Sequence, residues 1–469
     1  MIAALLAQAG PTPLAELVIV LYPVVCGLVF FFFGSKAREK AVAGAMVGGF
    51  LFLPRDAASV FAIPWIHSKH AIVILPILVL SLVLDRPRWR NLKLDWADLP
   101  VIAFGLTPLA ASLDNGLGLY NGLNSMFVAE FPWAFSYLVG RLYFTDLNRA
   151  RTLAVAITAG GLVYAPFCLW EIRMSPMLQW TLYGFAGADF TQVVRFGGYR
   201  PQVFLDHGLM VSFWIGMAAV TAWWMHLSGS VTKVLWLPAR AAAWGLLATE
   251  VLCKSTGAIA LTFLGIALPV LARRTRLASW MLVAMMASVP GYCLLRLNGW
   301  DGRVLTLTTG AVDAERAQSL EFRMINEDKL IEKALQRPLI GWGGWGRSRV
   351  YDEDGKNTTT TDGLWIIIVG EMGLVGLTLL ILSLLLPVCQ LLLAFGLRGL
   401  LHPALAPAGA FAITLVLFAI DCIPNAMVNP IYMVAAGCVS NIALSARGMT
   451  AAQPARPRHR ALAGSRSRA

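Results

Sequence analysis

Charged residues are scarce in this sequence. Asp, Glu, Lys and Arg make up 14% of its 469 residues, whereas soluble domains carry about 25%. Hydrophobic residues make up 58% and the mean hydropathy is +0.67, so the composition excludes a soluble protein and predicts a polytopic membrane protein. No basic segment precedes the first apolar run, and we therefore expect no cleavable signal peptide.

Cysteine is also sparse, and the long polar interval of the chain lacks it. The seven cysteines are odd in number and lie mostly within apolar runs, so neither a disulfide framework nor a zinc site can be identified. The net charge of +12 would suggest nucleic acid as a partner of a soluble protein. Here the basic residues sort by membrane side, and we expect no nucleic-acid partner.

Thirteen apolar runs predict transmembrane helices, for which about 20 residues suffice to cross the hydrocarbon core. The predicted spans are about 14–33, 41–54, 71–84, 99–113, 124–144, 152–172, 208–226, 235–252, 256–271, 278–296, 363–395, 406–423 and 427–445. We predict an all-α polytopic membrane protein of about 12–13 transmembrane helices, with residues 1–445 as one transmembrane domain. The basic tail, 446–469, is predicted to be disordered and cytoplasmic, with lipid headgroups as its partner.

The distribution of basic residues predicts the orientation. Placing the first loop, with Lys36, Arg38 and Lys40, in the cytoplasm gives the short loops a strong positive-inside bias. The inner side then collects the basic segments 85–93, 141–151 and 273–276 together with the tail. The outer side collects 55–70, 173–207 and 297–362.

The outer segment 297–362 is the long polar loop, and with its flanks it carries ten of the chain's 38 Lys and Arg residues. Glu315 to Gln336 has apolar residues at the spacing of one helix face: Ala317, Leu320, Met324, Ile331, Ala334 and Leu335. We expect a surface helix on which Arg316 and Arg323, seven residues apart, project from nearly the same side. Arg337 lies where Pro338 ends the helix, so three guanidiniums can flank one groove. Alternatively, Arg323 pairs with Glu327 at i,i+4 and the others are solvated.

The second outer loop, 173–207, is aromatic and Gly-rich, and carries polar residues just before a helix: Arg195, Arg200, Asp206 and His207. Aromatic faces with Arg and carboxylates are typical of sugar and phosphate contacts. Trp180 and Tyr183 can instead belong to an interfacial aromatic belt.

Ionisable residues also occur in or beside the predicted spans. Lys254 lies at the outer mouth, where its ammonium either meets an anion or snorkels to the interface. Carboxylates at such depth are candidate functional groups or partners of nearby Arg residues: Glu130, Glu250, Glu371 and Asp421.

Four ordered motifs carry a resemblance to a known family. They are RFGGYRPQVFLDHG, CKSTGA, an Arg-bearing helix that leads to RPLIGWGGWG, and TDGLWIIIVGEMGLVGL. Over about residues 150–395 the chain resembles the O-antigen ligase and O-antigen polymerase superfamily. The most specific part is Pro338 to Gly343 followed by a helix with Glu371 to Gly376.

The resemblance implies a fold related to the membrane-embedded C-type glycosyltransferases and an activity at the outer face of the bacterial inner membrane. Such enzymes take a glycan from undecaprenyl pyrophosphate. Ligases transfer it to lipid A core, and polymerases transfer it to another carrier-linked repeat. The matching basic positions are Arg200, Lys254 and Arg323, and Arg347 shares with Arg200 a fixed spacing to a later glycine.

One position departs from the ligase pattern. Ligases usually carry a His before the helix that follows the long loop, whereas this chain has Thr361-Asp362-Gly363. Asp362 is interpreted either as the base that activates the acceptor or as the N-cap of that helix. This departure favours a polymerase over a ligase.

The chemistry of the donor determines which residues are required. Pyrophosphate is a good leaving group, so the protein needs cations against the developing charge and a base for the acceptor hydroxyl. We expect Asp362, Arg323 and Arg200 to be catalytic, and the following residues to bind substrate: Arg195, His207, Lys254, Arg316, Arg337 and Arg347. No cofactor or metal is expected; Asp352-Glu353-Asp354 is acidic enough to bind a divalent ion but is more simply an exposed loop tip.

Two other classes of protein remain as alternatives. A lipid-linked oligosaccharide transporter predicts inverted repeats and ionisable residues near mid-span, whereas here no repeat is detected and the basic residues cluster at one face. A scaffold subunit that contacts other polysaccharide assembly proteins is the third alternative.

Overall fold

A computed structural model describes residues 10–55, 66, 68–185, 193–195, 197–302 and 314–452, without the side chains of 314–317, 319 and 448–452. The described chain is almost entirely helical. Its helices are α1 Pro13–Phe33, α2 Arg38–Phe52, α3 Lys69–Leu84, α4 Arg86–Arg90, α5 Leu99–Asp114, α6 Gly118–Glu130, α7 Ser136–Tyr143, α8 Leu147–Met174, α9 Leu178–Tyr183, α10 Gly208–Ser228, α11 Ala239–Leu252, α12 Thr256–Arg274, α13 Leu277–Leu297, α14 Ala314–Leu335, α15 Leu364–Gly399, α16 Ala406–Asp421 and α17 Pro430–Ala452.

Short elements complete the described fold. A 3-10 turn, Trp96–Asp98, leads into α5, and a π-helical turn, Phe131–Phe135, joins α6 to α7. Two antiparallel hairpins are formed by β1 Val194–Arg195 with β2 Gly198–Tyr199, and by β3 Lys233–Val234 with β4 Leu237–Pro238. The predicted tail beyond residue 452 lies outside the described residues.

Seven helices in the described part of the chain are long and apolar enough to cross a membrane: Pro13–Phe33, Trp96–Asp114, Leu147–Met174, Gly208–Ser228, Thr256–Arg274, Leu277–Leu297 and Leu364–Gly399. Two more, Lys69–Leu84 and Ala406–Asp421, are apolar but shorter. The structure thus confirms a helical architecture, and the seven helices are those expected of a multi-pass membrane protein. The other predicted spans also coincide with helices, but those helices do not combine the length and hydropathy of the seven.

Helix α10 is the centre of the bundle. It packs against α8, α11, α12 and α16, and nearly all its side chains are buried, including Trp214 and Trp224. Helix α1 lies at the periphery, with Phe31 and Phe32 more than 80% exposed. An apolar helix with such an exposed face is suited to contact with lipid.

Helix α15 is broken at Gly373, whose φ of 67° is left-handed. The loop at Pro338–Gly343 fills this break, and Gly341 is also left-handed, with φ of 77°. Four main-chain hydrogen bonds join the two: Trp342 N to Gly370 O (2.9 Å), Gly343 N to Glu371 O (2.9 Å), Leu374 N to Pro338 O (2.7 Å) and Val375 N to Leu339 O (3.2 Å). Main-chain groups freed by a broken apolar helix need such partners. The two most specific sequence motifs therefore form one structural unit.

Loops that charge counting places on the same side contact each other. At one end, Arg55 pairs with Asp206 at 3.1 Å, and the Lys69 ammonium donates to Phe204 O at 2.8 Å. At the other end, Arg141 pairs with Asp98 at 3.0 Å. We call the end that contains Asp206 the site end and the end that contains Arg141 the basic end.

Candidate functional site

The segment before α10 is held at the site end by a buried carboxylate. Glu171, near the end of α8, accepts hydrogen bonds from Leu178 N (2.9 Å), Gln202 N (2.8 Å) and Val203 N (2.7 Å). Its side chain is fully buried. Three amide donors satisfy the carboxylate and fix the backbone of 202–203, so the segment from Arg200 to His207 is rigidly placed.

Arg200 begins this segment and is 7% exposed. One of its terminal nitrogens donates to Lys254 O at 3.1 Å, while its Nε has no hydrogen-bond partner among the described residues. Burial, reinforced by Arg195, lowers the pKa of Arg200 to about 10, so the group stays charged at neutral pH. A buried guanidinium with an unused donor is suited to bind an anion.

Lys254 lies between α11 and α12 and contacts the β1–β2 hairpin. Its φ of 58° is left-handed, which is unusual for a residue with a Cβ and is found disproportionately at functional sites. Its ammonium donates to Arg195 O at 3.1 Å. The predicted residues Arg195, Arg200 and Lys254 therefore meet at one place, although the Arg195 side chain is exposed.

His207 is the N-cap of α10, and its Nδ1 accepts from Leu209 N at 3.0 Å. The imidazole therefore caps the helix. The sequence analysis expected His207 to bind substrate and did not predict this capping role. Burial lowers the pKa of His207 to about 4, and four neighbouring guanidiniums act in the same direction: Arg200, Arg195, Arg55 and Arg323. The imidazole is thus neutral at pH 7 and lies within a cationic cluster whose four guanidiniums come from three segments at the site end.

The predicted surface helix is present as α14, and its buried face includes Met324, Ile331 and Ala334 as predicted. Leu335 was assigned to this face wrongly, since it is 45% exposed, and Leu330 is buried instead. Leu320 is half-buried, and the side chain of Ala317 lies outside the described residues.

A buried ion pair fastens α14 to the bundle. Arg296, at the end of α13, has a fully buried side chain and pairs with Glu327 at 3.0 Å and Asp328 at 3.0 Å. Glu327 also accepts from Tyr292 (2.8 Å) and Trp365 (3.3 Å). The alternative in which Glu327 pairs with Arg323 is therefore wrong, because Glu327 turns inward to compensate the buried Arg296.

Arg323 faces the site end instead. Its Nε lies 3.3 Å from Asp362 Oδ2, and a terminal nitrogen lies 3.4 Å from Pro424 O. The Arg323 and Asp362 side chains are 32% and 37% exposed. The two residues predicted to be catalytic therefore form a partly solvated ion pair whose remaining faces are accessible to a ligand.

Asp362 is not the N-cap of α15. The N-cap is Gly363, which has no side-chain capping hydrogen bond. The first amide, Leu364 N, donates to Cys422 O at 2.9 Å, at the end of α16. Glycine is required at 363 because a Cβ there would lie 2.0 Å from Ile423 O. The carboxylate of Asp362 is thus not used for helix capping.

Asp421 is buried beneath this pair and accepts from Asn425 at 2.8 Å. Asn425 O in turn accepts from Leu364 N at 3.2 Å.

Of the other carboxylates singled out from the sequence, Glu250 accepts from Thr262 at 2.7 Å. Tyr183 is buried and donates to Phe52 O at 2.8 Å, so it is not an interfacial belt residue.

Two predicted ligands lie elsewhere. Arg337 pairs with Asp114 at 3.2 Å and lies over the Trp342 ring at 5.1 Å. Arg347 lines a separate groove with Trp342 and Arg349. The expectation that Arg337 flanks one groove with Arg323 is wrong, because the chain turn after α14 carries Arg337 to the end of α5. Arg316 lies in α14, and its side chain is outside the described residues.

The acidic run Asp352 to Asp354 forms an exposed turn, in which Asp352 Oδ1 accepts from Lys356 N at 2.8 Å. Within the described ranges, no group of three or more His, Cys, Asp or Glu side chains could hold a metal ion.

Sequence reasoning missed the residues that position the site. Glu171 and Arg296 are ionisable residues at the ends of predicted spans, and this placement was the available signal.

No family model matches the chain, and a search of curated proteins finds no significant match.

Proposed function

We propose that the protein transfers a glycan from undecaprenyl pyrophosphate to an acceptor at the outer face of the bacterial inner membrane, without a metal ion. The favoured reaction is polymerisation of exopolysaccharide or O-antigen repeats. The observation that carries the proposal is the accessible Arg323–Asp362 pair beside the cationic cluster of Arg55, Arg195 and Arg200.

The basic groups suit the leaving group. As the bond from the anomeric carbon to the phosphate oxygen breaks, negative charge develops on the pyrophosphate. Arg323 and Arg200 would bind its oxygens, and each guanidinium can do so bidentately while remaining charged. Lys254, at the edge of the cluster, adds a third positive charge. Fixed cations stabilise such a transition state without reorganisation during the reaction.

Asp362 suits the acceptor. Its carboxylate is accessible and is not occupied by a helix amide. In the proposed step the acceptor hydroxyl oxygen forms a bond to the anomeric carbon, its proton passes to Asp362, and the carrier pyrophosphate leaves. Arg323 would then orient both the base and the leaving group, since it lies beside one and faces the cluster that binds the other.

The test uses the purified full-length protein with a carrier-linked repeat unit and no nucleotide or added metal. We expect a ladder of products from the wild type, none from Arg323→Ala, and partial recovery in Arg323→Lys, because a point charge lacks the bidentate geometry. Arg337→Ala is the matched control, since Arg337 also forms a half-exposed pair, at 3.2 Å to Asp114, outside the cluster.

Full activity of Arg323→Ala, or equal loss in Arg337→Ala, would contradict the assignment of the site. A single transfer instead of a ladder would identify a ligase. Absence of any product, with movement of the carrier-linked repeat across vesicles that contain the protein, would identify a transporter.

A further inference from the structure

A pocket of about 810 Å³ opens at the basic end, between α4, α7, α17 and the segment 91–95. Four of its lining residues are cationic and one is acidic: Arg88, Lys93, Arg141, Arg149 and Asp95. Its volume is within the range of about 300–1,000 Å³ that small-molecule sites occupy.

The cations of this pocket are unequally satisfied. Arg141 is nearly buried and is matched by Asp98 at 3.0 Å and by Asn441. Arg88 is only 15% exposed, yet its nearest carboxylates, Glu39 and Asp85, lie at 3.8 and 3.9 Å. Both distances are too long for hydrogen bonds.

One of the two carboxylates near Arg88 is already engaged by other groups. Asp85 pairs with Arg38 and accepts from the Tyr143 hydroxyl at 2.8 Å. At the pocket rim, Arg149 pairs with Asp146 at 3.3 Å, whereas Lys93 has no ion pair among the described residues. Arg88 and Arg149 each make one further hydrogen bond, to Leu142 O at 3.5 Å and to the Thr145 hydroxyl. Because a guanidinium has five N–H donors, both retain donors that an anion can accept, as does Lys93.

Apolar side chains adjoin these cations. Leu92, Leu94, Leu142 and Leu444 line the same pocket, and Leu94 is 65% exposed. Trp96, two residues further, is 56% exposed. A free phosphate ion would use only the cations, whereas an amphiphile would use the cations for its headgroup and cover the leucines with its acyl chains.

We propose that this pocket binds the phosphodiester headgroup of an anionic phospholipid. The site is independent of the proposed glycan transfer, because the 28-residue helix α8 separates the two. Its first turn carries Arg149, and its last turns carry Glu171, which supports the site end. At 1.5 Å per residue the helix is about 42 Å long, so one lipid cannot occupy both sites.

The experiment compares lipid binding by two variants of equal charge change. Full-length protein in phosphatidylcholine nanodiscs is titrated with phosphatidylglycerol, and bound lipid is counted by native mass spectrometry. Lys93→Gln with Arg149→Gln removes two pocket cations. Arg86→Gln with Arg90→Gln removes two exposed cations of α4 that do not line the pocket.

We expect the pocket variant to bind phosphatidylglycerol roughly thirtyfold more weakly than the wild type, and the control variant to change less than about threefold. The proposal would be overturned if both variants lost phosphatidylglycerol binding equally. It would also be overturned if the wild type bound phosphatidylcholine as well as phosphatidylglycerol. Inorganic phosphate that binds the pocket when phosphatidylglycerol does not would show that the ligand is a free ion. If the double variant unfolds, Arg149→Gln is compared with Arg90→Gln, again at equal charge change, since the Arg149 side chain is 34% exposed.

Discussion

At the scale of single residues, the pair of Arg323 and Asp362 is held in place without contributing much to stability. Partly exposed ion pairs are worth about 0–1 kcal/mol, and both side chains are about a third exposed. Asp362 has no capping role, and its partner Arg323 acts on the pKa of His207 together with Arg200. The two residues are therefore suitable targets for substitutions that leave the fold intact.

We predict that Asp362→Asn lowers turnover by roughly a hundred- to ten-thousandfold, which is the contribution of a general base. The free energy of unfolding should stay within about 1 kcal/mol of the wild-type value. The carrier-linked donor should still bind, because the amide leaves Arg323 free for the pyrophosphate. Turnover and donor binding are measured separately on the purified protein. Asp114→Asn is the control, since Asp114 holds Arg337 in a similar pair outside the cluster. Wild-type turnover in Asp362→Asn would remove the base from the mechanism.

His207 gives a prediction that depends on pH. Because its pKa in the folded protein is lowered to about 4, the unfolded chain takes up the proton first as pH falls below about 6.5. The stability that the neutral imidazole contributes is thus fully present above pH 6.5, is lost between pH 6.5 and 4, and is constant below pH 4.

His207→Asn should remove this pH-dependent component and keep the cap, because an Asn side chain also accepts from Leu209 N. His207→Ala should cost about 1 kcal/mol at neutral pH. Thermal unfolding of the three proteins at several pH values between 4 and 8 measures both effects. Unchanged pH dependence in His207→Asn would show that another group is responsible.

At the scale of elements, two sets of contacts hold the long polar loop on the bundle. Helix α14 is fastened by the Arg296–Glu327 pair, and the loop after it is hydrogen-bonded into the break of α15. Removing one partner of a buried ion pair typically costs about 3–5 kcal/mol, so the first set has little tolerance for change. Together they set the distance between Arg323 and the start of α15, where Asp362 lies.

The break in α15 gives the third prediction. Gly373→Ala should destabilise the protein by about 1–3 kcal/mol or more, because the left-handed φ is costly for alanine and a Cβ would lie 2.2 Å from Leu339 O. We also expect the outer loop to become more sensitive to protease, since the clash falls on the segment that anchors it.

Gly291→Ala in α13 is the matched control, because nothing lies within 4 Å of a Cβ built there. This substitution should be neutral or stabilising by about 0.5–1 kcal/mol. Thermal unfolding in detergent and limited proteolysis measure both variants. If Gly373→Ala behaves like Gly291→Ala, the hydrogen bonds between loop and break do not anchor the loop.

At the scale of the whole molecule, the apolar runs predicted the helices well, and the long-loop helix was predicted within one residue at each end. Arg200, Lys254 and Arg323 lie at the same end of the bundle, as expected, because charge counting assigns all three segments to the same side of the membrane. Apolar periodicity and charge counting are sufficient to predict helices and the side on which a loop lies. The membrane requires apolar spans of a minimum length and biases basic residues to one side.

Pairings between distant residues could not be predicted from sequence. The i,i+4 rule favoured Arg323 with Glu327, but that contact is worth only about 0.2–0.5 kcal/mol on an exposed helix. The free-energy cost of leaving the fully buried Arg296 without a partner is several times larger. That cost determines the conformation of Glu327, which pairs with Arg296. The same limit applies to Arg337 and Asp114, because nothing local in either segment indicates that they meet.

The last prediction concerns the orientation of the whole chain. We expect a cysteine that replaces Asp354, on the exposed turn of the outer loop, to react with an impermeant thiol reagent in intact spheroplasts. A cysteine that replaces Ala404, exposed between α15 and α16, should react only after the membrane is permeabilised. The background is low, because six of the seven native cysteines are buried and Cys389 is half-buried. The reverse labelling would place the Arg323–Asp362 pair in the cytoplasm, where a polymerase of outward-facing carrier lipids has no substrate.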